Sequence, residues 1–180
     1  MHAVPALVHQ AEAPSRPAPG GLGQAAGSPR GDDPVAGAYY EFMHGRQLED
    51  RGDVDGAIAA FRRAMKLDPK SADIPAEIAG LYARQSRVRE AIDASQAALA
   101  INPVHGEANR VLGSIYASLA ERDPNGVAPG GGQATYRQLA LDHLEKSLAS
   151  SSPITAAGVR LTIARMQMQA SAFDQAIPVL

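Results

Sequence analysis

"YYEFMHGRQLEDRGDVDGAIAAFRRAMKLDP", Tyr39 to Pro69, and "SADIPAEIAGLYARQSRVREAIDASQAALAINP", Ser71 to Pro103, share one grammar. In the first, apolar residues recur at three- and four-residue steps (Ala57, Ile58, Phe61, Ala64, Met65), the spacing of one helix face. A short turn at Arg51-Gly52-Asp53 separates that helix from the one before it. Gly52 suits a left-handed helix end, and Asp53 or Asp55 an N-cap. Leu67-Asp68-Pro69 closes the second helix, because the residue before proline is pushed out of the helical region. The second stretch repeats this, with a polar turn around Ser86 and a stop at Asn102-Pro103. Laid over one another, Leu48 falls on Tyr82, Ala57 on Ala91, Phe61 on Ser95, Ala64 on Ala98, Met65 on Leu99 and Pro69 on Pro103, always at the same interval in the numbering. That interval is the period of about 34 residues at which helix-turn-helix units stack. Two helices per unit at that period predict an all-α solenoid of helical hairpins.

A third unit opens on schedule, with Leu112, Gly113 and Tyr116 lying one full period beyond Ile78, Ala79 and Tyr82. Then the register breaks. The next Ala that fits is Ala140, followed by Leu144 and Leu148, far later than the spacing of the first two units allows, which implies an insertion. "RDPNGVAPGGGQAT", Arg122 to Thr135, fills it. No strand and no Lys-Ser/Thr accompany its glycines, so it is not a phosphate loop. It joins two helices of one repeat, with the second helix restarting near Tyr136. Closing a longer loop costs little, about 0.6 kcal/mol per doubling, so the insertion reads as a tolerated surface loop. A fourth unit begins at Ser152-Pro153, carries Ile163, Ala164 and Met168 on one face, turns at Ser171-Ala172, and places Ala176-Ile177 where Ala57-Ile58 stood and Leu180 where Phe61 stood. The expected organisation is thus a disordered Pro/Gly/Ala-rich segment over residues 1–35 and a repeat domain over 36–180. The units fall at about 38–71, 72–105, 106–153 with the insertion near 122–135, and an incomplete 154–180. The open last unit predicts a longer parent chain or self-association through it.

Composition narrows the function classes. The 180 residues are 45% apolar but only 4% aromatic, with no Trp, so the core rests on Ala, Leu, Ile and Met. Ala favours helices and lets them approach closely. A net charge of −2 offers no electrostatic footprint for nucleic acid. Without Cys there are no disulfides, thiolate metal sites or Cys nucleophile. No apolar run reaches the length of a membrane span. The five His residues form no i,i+4 pair, no GxSxG elbow occurs, and Asp53, Asp55 and Asp68 are explained as helix-end residues. No catalytic residue, cofactor or metal is therefore expected. "MHAVPALVHQAEA" has a small-x-small site at Ala11-Glu12-Ala13 but lacks a basic n-region. The default compartment is cytoplasmic, with export the reading if the start is a clipped signal sequence. Two RGD tripeptides, at Arg30 and Arg51, are explained by tail composition and by the helix turn. Richness in Ala, Gly, Pro and Arg points to a GC-rich bacterial source.

These residues resemble the tetratricopeptide repeat family. Unit one supplies Gly45, Ala57, Phe61, Ala64 and Pro69; unit two Ala79, Tyr82, Ala91, Ala98 and Pro103; unit three Leu112, Gly113, Tyr116 and Ala140. The family's helix-A Trp position holds Glu41, Pro75 and Asn109, and Ser95 replaces the helix-B aromatic, which implies looser packing in unit two. The strict period and the acidic balance separate the chain from the slightly longer RNA-reading helical repeats.

The resemblance implies a right-handed superhelix whose concave face, lined by the first helix of each pair, binds a peptide or protein partner. Helical spacing assigns to that face Tyr39, Phe42, Arg46 and Glu49; Asp73, Ala76, Gly80 and Arg84; Glu107, Arg110, Ser114 and Ala117; and Leu161, Arg165 and Met168. The candidate partner-binding set is Tyr39, Phe42, Arg46, Glu49, Arg84, Arg110 and Arg165. One Arg per unit makes either a groove that pairs with a carboxylate-bearing ligand or a solvated face balanced by Glu49, Asp50, Asp73 and Glu107. The aromatic cluster of Tyr39, Tyr40 and Phe42 is either a partner anchor or a cover for the first helix pair. A subfamily that clamps chaperone tails uses a Lys and an Asn at the positions of Phe42 and Arg46, so that ligand is not expected. The function the resemblance implies is a non-catalytic interaction scaffold; the alternative is a regulatory or substrate-presenting arm of a larger enzyme, as in repeat-bearing glycosyltransferases.

Overall fold

A computed structural model describes residues 33–127 and 134–176, with side chains as far as Gln169. The expected disordered segment therefore lies outside the described residues except at its end, as do Ile177 and Leu180. Among the described residues seven helices follow one another: α1 Pro34–Asp50, α2 Val54–Leu67, α3 Asp73–Arg84, α4 Val88–Ile101, α5 Gly106–Arg122, α6 Tyr136–Leu148 and α7 Pro153–Ala176. Helix α1 starts earlier than the change of character at Tyr39. Asp33 accepts a hydrogen bond from the Val35 amide at 2.9 Å, and Pro34 opens the first turn with its φ already set.

The first two hairpin turns are built alike. After α1, the Asp53 amide donates to the Leu48 carbonyl and the Gly52 amide to that of Glu49, with Gly52 at φ +80°. After α3, Arg87 donates to Tyr82 and Ser86 to Ala83, with Ser86 at φ +58°. Both are six-to-one, five-to-two closures around a left-handed residue. Asp53 then caps α2 through the Gly56 amide at 2.9 Å, so it, and not Asp55, is the N-cap. In the third unit the equivalent position is Ala120, buried and helical. With no left-handed residue to end it there, α5 runs on to Arg122 and stops before Asp123-Pro124.

The insertion is pinned at its base. Gly126 donates to the Asp123 carbonyl and accepts from the Tyr136 amide, and Val127 and Thr135 form an isolated antiparallel bridge. Thr135 and Gln138 form a reciprocal capping box that starts α6. Gly126, Val127 and Thr135 thus belong to the framework, although the sequence places them inside the inserted loop.

Helices α1 and α2, α3 and α4, and α5 and α6 pack as consecutive pairs. One core joins Ile58 and Phe61 of α2 to Ile74, Ile78 and Leu81 of α3. A second joins Leu112 and Tyr116 of α5, Leu144 of α6, and Val159 and Met166 of α7. Between them Ala76, Ala98 and Ala108, all essentially inaccessible, let α3, α4 and α5 approach. Around Ser95, where looser packing is expected, the serine is fully buried, with Ala79 at the position that Gly45 and Gly113 hold in the flanking units. One expectation is corrected. The turn expected at Ser171-Ala172 is absent, and α7 continues through it to Ala176. No Gly or Pro lies between Arg160 and Ala176, and the Ala, Gln and Met residues of that run favour helix.

Candidate functional site

The first helices of the pairs, α1, α3 and α5, present one polar face, joined by α7. Along it guanidiniums alternate with carboxylates. Arg46 donates to Glu49 at 3.1 Å and to Glu77 at 3.0 Å. Arg84 reaches back across the repeat to Glu49. Arg110 pairs with Glu107, Nε to Oε2 at 2.8 Å, and Arg165 with Glu121 at 3.4 Å. Burial raises the Glu77 carboxyl above the ordinary range; Arg46 pulls it down, while Glu49 and Glu107 push it up. For Arg110, the hydrogen bond to Glu107 holds the proton more firmly than usual.

Between α3 and α5 this face sinks into an open cleft of about 670 Å³. Its wall carries Arg84 and Arg110, its floor Val111 and Ile115, and its far end Leu119 and Arg122. On α5 the residues Arg110, Ser114, Ser118 and Arg122 follow at four-residue steps, which places them on one side of the helix. A smaller hollow continues past Arg110 and Ser114 to Thr155 and Thr162 of α7.

Of the sequence-assigned residues, Arg46, Glu49 and Arg84 are brought into one ion-pair chain, and Arg84 and Arg110 share the cleft. Tyr39 is 67% exposed at the outer side of α1, and Tyr40 is also exposed. Phe42, placed on the outward face by spacing, instead turns partly inward, its ring centroid 5.3 Å from that of Phe61. Ala76 and Ala117 are likewise buried, because the inter-repeat contact takes up part of the face that helical spacing alone leaves open. Sequence reasoning missed Glu77, Ser118 and Arg122. Glu77 had a signal: position 80 is one repeat beyond Arg46, and 77 lies one turn before it on the same side. Arg122 was read as the start of the insertion, not as the end of a groove-lining helix.

A second polar constellation sits at the other side of the third unit. Asn109 is fully buried and donates both amide hydrogens, to the Pro103 carbonyl at 3.2 Å and that of His105 at 2.9 Å. That orientation makes its oxygen the acceptor for His143 Nδ1 at 2.8 Å and so fixes the imidazole with a proton on Nδ1. His143 stacks on Tyr116, which stacks on Tyr136. All its partners are structural. Among the described residues no group of three or more His, Asp or Glu side chains is arranged to hold a metal ion, and no helix is long and apolar enough to cross a membrane.

Residues 48–115, from the end of α1 into α5, match the tetratricopeptide repeat family. That stretch carries tetratricopeptide repeats, and the described residues share the fold of tetratricopeptide domains. The chain is 32% identical over 79 residues to the BBSome complex member bbs-4 of Caenorhabditis elegans, a match that covers 44% of this chain and only 17% of that protein. Among solved structures, the first tetratricopeptide domain of Spaghetti (RPAP3), bound to the HSP90 peptide SRMEEVD, superposes with a TM-score of 0.59 at 16% identity, over 76% of this chain and 95% of that one. MamA superposes with a TM-score of 0.58 at 23% identity, over 81% and 75%. The tetratricopeptide domain of Sgt2 from Aspergillus fumigatus gives 0.59 at 14% identity, over 82% and 88%. At these identities the likeness to the solved structures is one of fold.

Proposed function

We propose that this chain is a non-catalytic scaffold that binds a peptide or protein partner in the groove lined by α1, α3, α5 and α7. The observation that carries this reading is the open cleft between α3 and α5, whose size falls in the range of about 300–1,000 Å³ typical of ligand sites. It combines an apolar floor with hydroxyl and guanidinium walls, the mixture that fixes a segment by shape and by hydrogen bonds. The peptide-bound state of the Spaghetti domain and the complex membership of bbs-4 support it by analogy of fold and family. The binding residues proposed are Arg46, Glu49, Arg84 and Arg110, with Arg165 at the groove's far side and Tyr39 at its outer edge. Phe42 contributes by holding α1 against α2. With Phe and Arg at the two clamp positions, the partner differs in its anchoring from a chaperone tail.

The test is site-specific photo-crosslinking in the full chain. A photoreactive residue at Ser114, in the groove, should trap a partner from the native host. The same residue at Glu145, on α6, should not. Equal trapping from both sites, or from neither, would refute the groove as the binding surface.

A further inference from the structure

Resting on the reading of this groove as the binding surface, we infer that its occupant is a peptide segment carrying an acidic side chain next to an apolar one, read by Arg122 with Ser118 and Ser114. The balance of charge along the face carries this. Five guanidiniums lie there: Arg46, Arg84, Arg110, Arg122 and Arg165. Four carboxylates, Glu49, Glu77, Glu107 and Glu121, pair with four of them. Of these five, Arg122 alone has no carboxylate partner among the described residues. It is exposed, at the end of α5, and lines the cleft.

The neighbouring chemistry points the same way. One and two turns back along α5, Ser118 and Ser114 offer exposed hydroxyls with no partner of their own among the described residues. A guanidinium donates two parallel bonds to a carboxylate, and a hydroxyl one turn away can donate a third to the segment's backbone carbonyls. Beneath them Ile115 and Leu119 are partly buried, and Val88 at the lip is 40% exposed. A bound segment would place an apolar side chain there while its carboxylate meets Arg122. The paired arginines already have partners and would be weaker anchors, because a ligand must displace an existing carboxylate to use them.

The test is selection of random dodecamer peptides displayed on phage against the immobilised full chain, in parallel with Arg122→Gln. The Arg122 side chain makes no hydrogen bond or ion pair among the described residues, and circular dichroism will verify that the variant folds. The expected result is enrichment of sequences with Asp or Glu at a fixed offset from Leu, Ile or Val, whose affinity falls about tenfold or more in Arg122→Gln and partly returns in Arg122→Lys. Peptides that show no acidic preference, or bind the variant equally, would overturn the inference and leave the scaffold reading standing. Failure to select any peptide would overturn both. A concentration-dependent mass in light scattering that Arg122→Gln abolishes would assign the groove to a second copy of the chain, and would also overturn it.

Discussion

Gly45 on α1 lies under the ring of Phe61 on α2 so closely that a Cβ at residue 45 would stand 2.7 Å from the ring's Cε1. The third unit repeats the relationship with Gly113 beneath Leu144, again at 2.7 Å from a side-chain carbon. In the second unit Ala79 and Ser95 hold the two places, and both are fully buried. Across the three units the first helix carries a larger residue only where the second carries a smaller one, so neither residue can be chosen alone.

Gly45→Ala should therefore destabilise the fold by about 1–2 kcal/mol, overpacking outweighing alanine's helix-propensity advantage of up to about 1 kcal/mol. Combining it with Phe61→Ser, which recreates the Ala79–Ser95 pair, should lose less than the two single changes added together. Urea melts of the four proteins in a double-mutant cycle measure this. Strict additivity would show that the two side chains do not share the contact.

The left-handed turn residue is glycine after α1 but serine after α3, where Ser86 sits at φ +58°. A Cβ in that region costs about 1 kcal/mol. Ser86→Gly should raise stability by roughly 0.5–1 kcal/mol, while Gly52→Ala should lower it by a similar amount. Thermal melts of both variants decide the point; a loss on Ser86→Gly would mean that the serine side chain contributes more than the backbone strain removes.

Ser95 Oγ is buried and has no hydrogen-bond partner among the described residues. An orphaned hydroxyl keeps its desolvation penalty with nothing in return. Ser95→Ala should stabilise by about 1 kcal/mol, read as a higher urea midpoint at unchanged slope. An unchanged or lower midpoint would show that the hydroxyl is satisfied, for instance by a buried water.

His143 carries the expected pH dependence. Burial lowers its pKa below the ordinary 6.5; Asp142 works in the opposite direction and Lys146 in the same one. The unfolded chain takes up a proton as pH falls through about 6.5, and the folded protein only at lower pH. In that window the unfolded state binds more protons, so the stability contribution is full above about pH 6.5 and is lost as pH falls. Melting temperatures compared on the two sides of neutrality should drop more steeply toward acid for the native chain than for His143→Gln. Parallel slopes would remove His143 as the cause.

At the insertion, the framework ends at Val127 and resumes by Thr135. Thr135→Ala, which breaks the capping box, should cost about 1 kcal/mol. Shortening the segment 128–133 should leave the melting temperature nearly unchanged, since loop closure changes slowly with length. If the shortened chain melted as low as Thr135→Ala, the loop itself would be structural.

Much of the helix count was legible in the sequence, because Gly52, Pro69 and Pro103 punctuate the chain for local reasons that need no neighbour. The unbroken run of α7 was not, because Ser171 resembles the polar turns elsewhere yet brings no residue that ends a helix. Nor was the inward turn of Phe42. Helical spacing counts which side of one helix a residue occupies, whereas Phe61, on the next helix, decides whether that side is covered. Arg46 and Arg84 were visible as cations, but the carboxylates that cross the repeat to meet them, Glu77 and Glu49, stand on neighbouring units and are distant in sequence.

The sequence by itself determined the period, the helical hairpins and the lack of any Cys, since each rests on propensity, punctuation and residue type. Only the tertiary structure decided which charges cancel. Ion pairing depends on distances between helices that the one-dimensional pattern does not contain, and among the described residues those distances leave Arg122, at the end of a helix that runs past the repeat's own turn position, as the cleft's arginine without a carboxylate partner.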